Sequence, residues 1–133
     1  MQGKVVLITG GARRVGAAIC RRLHASGASL MLHYRSSAGE LAHCAAHGLA
    51  WLPWSPFGGV SAAGSLDAQA PAFAAVAEEV GASVYQVTLA WHLAQADVVI
   101  PIPGASRASS IQDSAAAADL ELTPDQLTRL NAT

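Results

Sequence analysis

Charge is scarce in this chain. Only 13% of its 133 residues are acidic or basic, and the formal net charge at neutral pH is -1. So even a balance gives no electrostatic reason to expect nucleic acid or an anionic membrane as a partner. Cysteine is nearly missing as well. Cys20 and Cys44 are the only two, which excludes a disulfide framework and fits reduced thiols in the cytoplasm. No apolar run approaches the ~20 residues that span a bilayer. Lys4-Val5-Val6-Leu7-Ile8 is also too short for the apolar stretch of a secretory leader. Bulky core side chains are few. The hydrophobic fraction is nonetheless 52%, with alanine dominating it, so the expectation is a helix-rich cytoplasmic protein folded as a single α/β domain over residues 1–133.

Periodicity gives the element order. Residues 4–9 are β-branched and apolar without alternation, as in a strand buried on both faces of a parallel sheet. After Gly10-Gly11, Val15, Ile19 and Leu23 recur every fourth residue, which predicts an amphipathic helix to about Ala25 closed by Ser26-Gly27. Residues 28–34 read as a second strand, 38–47 as a helix stopped at Gly48, and 49–52 as a third strand ended by Pro53. The Gly, Ser and Pro content of residues 54–69 predicts a long loop. Helices are predicted over 71–80, 83–95, 109–118 and from Thr123-Pro124, with a fourth buried strand over 98–102. This alternation predicts a parallel four-stranded sheet with covering helices. So small an open sheet leaves bare edges, and self-association as a homodimer or higher oligomer is the expected remedy.

Two segments look built for phosphate. Thr9-Gly10-Gly11-Ala12-Arg13-Arg14-Val15-Gly16 sits between a strand and a helix, where Gly10 and Gly16 let the backbone approach a pyrophosphate and the helix start offers N–H groups. The second strand ends in His33-Tyr34-Arg35-Ser36-Ser37, not in the acid that holds the ribose hydroxyls of NAD. Arg13, Arg14 and Arg35 therefore favour a 2′-phosphate, and NADP(H) is the expected cofactor. In its TGGxRRxG turn and HYRSS strand end, the segment from residue 1 to about 40 resembles the N-terminus of short-chain dehydrogenases/reductases of the pteridine-reductase-like branch. The resemblance implies a Rossmann-like βαβ unit and contacts from Arg14, Arg35 and Ser36 to the adenosine phosphate.

Residues from about 41 onward carry a different set of motifs. These are His47-Gly48-Leu49-Ala50-Trp51-Leu52-Pro53-Trp54-Ser55-Pro56-Phe57-Gly58, then Val84-Tyr85-Gln86-Val87-Thr88-Leu89-Ala90-Trp91-His92-Leu93, then Val98-Val99-Ile100-Pro101-Ile102-Pro103-Gly104-Ala105-Ser106-Arg107, and last Leu122-Thr123-Pro124-Asp125-Gln126-Leu127. In that order they are similar to the C-terminal part of aldo-keto reductases. The resemblance implies the last βα units of a (β/α)8 barrel, with Trp54 stacking on nicotinamide, Ser55 near the pyrophosphate, and Ser106 with Arg107 gripping the 2′-phosphate. It also implies an adenine contact by Glu-Asn, where this chain has Asp113-Ser114. The two resemblances together make the chain a chimera joined near residue 40.

Neither portion, by its resemblance, brings the hydride-transfer residues of its family. The expectation is therefore a domain that binds NADP(H) or another phosphorylated small molecule without oxidoreductase activity. The alternative rests on Glu40, His43 and His47, spaced to line one helix face. Such a set could hold Zn²⁺ or Mn²⁺ and activate water for attack on a phosphate ester.

Overall fold

The computed structural model describes residues 1–9, 14–33, 38–53, 55–58 and 64–133, with the backbone alone for residues 9, 14, 32–33 and 38–40. The chain divides into two compact units. One comprises Met1–Trp54 and Ala96–Ile102, and the other Ser55–Gln95 and Pro103–Thr133.

The first unit is a parallel sheet with helices. Strand β1 (Val5–Thr9) leads through helix α1 (Arg14–Ala25) to β2 (Ser29–His33), then through α2 (Ala38–Ala46) to β3 (Ala50–Trp51). The sheet order is β1-β2-β3, both pairs parallel, with Val5 opposite Ser29 and Met31 opposite Ala50. Each crossover needs a helix because parallel neighbours cannot be joined by a tight turn. Glycine ends both helices. Gly27 (φ 82°) and Gly48 (φ 61°) take left-handed backbone, and the next N–H in each case turns back onto the helix, Ala28 to Leu23 at 3.2 Å and Leu49 to Cys44 at 2.9 Å. Cys20 from α1, Cys44 from α2, and Ala28, Leu30 and Leu49 form the core, with Val6, Ile8, Leu23, Trp51 and Val98 packed on it.

Three expectations change here. The described sheet has three strands, not four. Where a fourth was expected, only a bridge forms. Trp51 N–H donates to Val98 O and Ile100 N–H to Trp51 O, both at 2.7 Å. The next donor along β3 would be residue 53, and Pro53 has no N–H, so the ladder stops. Second, β1 is not covered on both faces. Val6 and Ile8 meet the core, while Val5 and Leu7 are 73% and 62% exposed, the alternation of a strand covered on one side. Third, the inward stripe of α1 is Cys20 and Leu23, whereas Val15 is 73% and Ile19 46% exposed.

The second unit is helical. It holds α3 (Leu66–Gln69), α4 (Pro71–Val80), α5 (Val84–Leu93), α6 (Ala108–Ala116) followed by a 3-10 turn at Ala117–Asp119, and α7 (Pro124–Asn131). Helix α3 interrupts the expected loop. At four residues it is too short to show a helical period. The capping boxes Ser83/Gln86 and Thr123/Gln126 are both formed, and Gly81 (φ 66°) ends α4. Val76, Ala77, Val84, Val87 and Leu130 make one core cluster, and Phe57, Leu89 and Ala117 a second. No helix among the described residues is long and apolar enough to cross a membrane.

Candidate functional site

Within the second unit, Gly104 to Arg107 lead into α6, and Arg107 is its N-cap residue. The Arg107 side chain makes no cap bond, and the first-turn N–H groups of a helix are donors that suit an anion. The segment borders a cleft of about 590 Å³ lined by Ser106, Arg107, Ser109, Ser110, Asp113 and Ser114, with Phe57 and Tyr85 as an aromatic wall. The wall is ordered by an edge-to-face contact with ring centroids 5.1 Å apart. Phe57 is fixed from below by Leu89 and Ala117. The cleft is of a size that takes small molecules.

Asp113 is the one carboxylate among the described residues of that lining, and its oxygens are engaged. Ser83 Oγ donates to Oδ2 at 2.7 Å, and Gln86 Nε2 donates to Oδ1 at 2.8 Å. Both donors belong to the cap of α5, where the partial positive charge of the helix start suits an anion. Among the described lining residues Arg107 is the basic side chain, and Ser106, Ser109, Ser110 and Ser114 line the same cleft.

The expected site residues separate as follows. Ser106 and Arg107 come together at the cleft. Ser55 lies on the turn leading to the cleft's Phe57; it has φ 53° and its carbonyl accepts from Gly58 N–H at 2.9 Å. Gly16 lies in α1 of the first unit. Gly10, Arg13, Arg35, Ser36 and Trp54, together with the side chains of Arg14 and Glu40, lie outside the described residues. The sequence reading missed Ser109, Ser110 and the engagement of Asp113. A signal existed: Ser106, Ser110, Asp113 and Ser114 fall at the spacing of one helix face.

Of the expected metal set Glu40, His43 and His47, only the two histidine side chains lie within the described residues. Among the described residues no group of three His, Cys, Asp or Glu is placed to hold a metal ion. The His43 and His47 rings stack instead, with centroids 4.2 Å apart and planes tilted 32°. Nδ1 of His47 donates to the His43 carbonyl at 2.9 Å, and the third nearby ring, His24, meets His47 edge-on at 6.0 Å. Burial lowers the His43 pKa, and the neighbouring His47, Arg21 and His24 lower it further. The i, i+4 spacing is real, but it yields ring packing and a backbone bond.

Fold and cleft define a class first: an α/β protein with a parallel sheet and a polar cleft at a helix start. The comparisons with known proteins then make it specific. Residues 27–133 match the aldo/keto reductase family, and the chain belongs to that family. It is 29% identical over 97 residues to an uncharacterised oxidoreductase of Schizosaccharomyces pombe, covering 73% of this chain and 30% of that protein. It is 32% identical over 84 residues to pyridoxine 4-dehydrogenase of Escherichia coli, covering 63% of this chain and 28% of that protein. The chain thus spans less than a third of the length of these relatives. A Bombyx mori aldo-keto reductase solved in complex with NADP superposes with a TM-score of 0.66 at 20% identity, over 98% of this chain and 57% of that one. The fold is accordingly a portion of the aldo-keto reductase (β/α)8 architecture.

Two readings are overturned by these findings. A join near residue 40 falls inside family sequence, because the match begins at residue 27 and residues 1–26 alone lie outside it. Membership of the aldo/keto reductase family, with relatives named as an oxidoreductase and a dehydrogenase, also replaces the metal-dependent phosphoester hydrolase and the chimeric binding domain with a portion of an aldo/keto reductase.

Proposed function

We propose that this chain forms the NADP(H)-holding part of an aldo/keto reductase, an oxidoreductase acting on carbonyl or alcohol substrates. One observation carries the reading: Arg107 and the lining serines converge at a helix start beside a cleft with an aromatic wall. The donor set suits the phosphorylated adenosine end of the cofactor. Arg107 offers a planar guanidinium fork to a 2′-phosphate. Ser106, Ser109 and Ser110 add hydroxyls, and the first-turn N–H groups complete an anion seat. Ser55, on the turn at the other side of Phe57, is assigned to the pyrophosphate. The nicotinamide, when bound, supplies or accepts the hydride; the residues described here bind and orient its carrier.

Titration of the purified chain with NADPH, followed by tryptophan emission, tests the assignment. A saturable change is expected, and a flat response up to about millimolar ligand, a binding energy of only ~4 kcal/mol, rejects it. Oxidation of NADPH in the presence of aldehydes or ketones tests the oxidoreductase assignment in the same preparation. Self-association is proposed too. In the described sheet β1 is an edge strand presenting Val5 and Leu7, and apolar edges are rarely left bare. A monomeric mass in solution would remove that part. The buried Cys20 and Cys44, which remain thiols, suit a reducing cytoplasmic compartment.

A further inference from the structure

We infer that Asp113 is a positioning residue for cofactor selectivity: clamped to the cap of α5, it holds α6 so that Arg107 and Ser106 face the cleft. The inference rests on the NADP(H) reading above and gives Asp113 a role other than touching the ligand.

Helix α6 has little else to hold it. None of its residues is buried, and Ile111, its largest apolar side chain, is 58% exposed. The chain becomes buried again only at Ala117, in the 3-10 turn beyond the helix, which packs against Phe57 and Leu89. A helix anchored at one end by a small side chain is free to swing about that point. The second attachment is polar. Ser83 Oγ accepts the Gln86 N–H at 3.1 Å and donates to Asp113 Oδ2 at 2.7 Å. Gln86 accepts the Ser83 N–H at 3.4 Å through Oε1 and donates to Asp113 Oδ1 at 2.8 Å. The capping box that starts α5 is thereby the seat for the middle of α6. The two partners are 30 and 27 residues away in sequence, so this is a tertiary clamp made from a local motif.

Direction matters here. Arg107 sits at the N-cap of α6 and Asp113 almost two turns along it. Holding Asp113 and Ala117 fixes two points on the axis, and hence where the N-terminus points. Releasing Asp113 lets the guanidinium and the first-turn N–H groups drift from the place where a 2′-phosphate would sit. A bare loss of negative charge beside an anion has the opposite sign, because it strengthens binding.

The test compares 2′,5′-ADP with 5′-AMP, titrated into the full chain and its variants. Failure of the wild type to bind 2′,5′-ADP would sink the cofactor reading, not the clamp. Given wild-type binding, Asp113→Ala should weaken 2′,5′-ADP by about tenfold, the scale of one charge-assisted hydrogen bond, and leave 5′-AMP nearly unchanged. Ser83→Ala and Gln86→Leu keep the carboxylate yet should produce the same selective loss. Asp113→Asn should recover most of it, since the amide oxygen still accepts from Gln86 and the Ser83 hydroxyl can turn to accept. Equal losses for both nucleotides in Asp113→Ala, with Ser83→Ala unaffected, would make Asp113 an adenine contact and overturn the inference. Tighter 2′,5′-ADP binding in Asp113→Ala would overturn it as well. If Ser83→Ala unfolds through loss of the cap, Gln86→Leu decides.

Discussion

Truncating Leu130 to alanine tests how the second unit is held together. Leu130 is 1% exposed and is the only buried residue of α7, seated among Val76, Ala77, Val84 and Val87. Losing three buried carbons at ~0.8 kcal/mol each, plus a term for an incompletely refilled cavity, gives about 3 kcal/mol. The rival attachment of α7 is the Arg129–Glu79 pair. Both nitrogen–oxygen contacts are 2.7 Å, but the side chains are 42% and 44% exposed, so solvent screens the pair and leaves it a small contribution. Leu130→Ala should therefore destabilise several-fold more than Arg129→Ala, and only the latter should depend on salt. Denaturant unfolding followed by far-ultraviolet circular dichroism and by tryptophan emission measures both. Trp91 reports on α7 directly, since its Nε1 donates to Asn131 at 2.8 Å. A Leu130→Ala cost under about 1 kcal/mol, or an Arg129→Ala cost that exceeds it, would refute the reasoning.

Two further outcomes are expected. His92 has its pKa lowered by burial, opposed in part by its bond to the Pro56 backbone. Between its lowered folded value and the unfolded value near 6.5, the unfolded chain binds more protons, so its contribution to stability is present above pH ~6.5 and lost as pH falls through the folded pKa. His92→Gln should flatten that part of the stability–pH curve, and an unchanged slope would contradict it. Gly81→Ala has open space around the new methyl but a φ of 66°, so it should cost about 1 kcal/mol for the left-handed backbone alone. A neutral result in thermal unfolding would show that α4 ends without that turn.

Much of the fold was legible because its signals are local. Ser83 with Gln86 and Thr123 with Gln126 announce helix starts from three residues' spacing, and Gly81 announces a stop. The fourth strand was not legible as a failure, because its own sequence is a good strand. Pro53, on the neighbouring segment, is what ends the pairing. Helix α3 was invisible because four residues are too few to show a period. At the site, Ser106 and Arg107 were readable from motif, while Asp113 stood out only as a departure from the family's Glu-Asn. Its partners come from the cap of another helix, and no local pattern carries that. The histidine spacing at 43 and 47 was read correctly, but spacing fixes neither ring orientation nor the bond to the His43 carbonyl.

The central claim is that the cleft at Arg107 seats the 2′-phosphate of NADP(H). Binding of NADPH and NADH, measured by calorimetry on the wild type and on Arg107→Ala, tests it most directly. The account predicts that the wild type prefers NADPH by about tenfold or more and that Arg107→Ala erases the preference while sparing NADH. Equal binding of the two cofactors by the wild type, or a preference untouched in the variant, would contradict it.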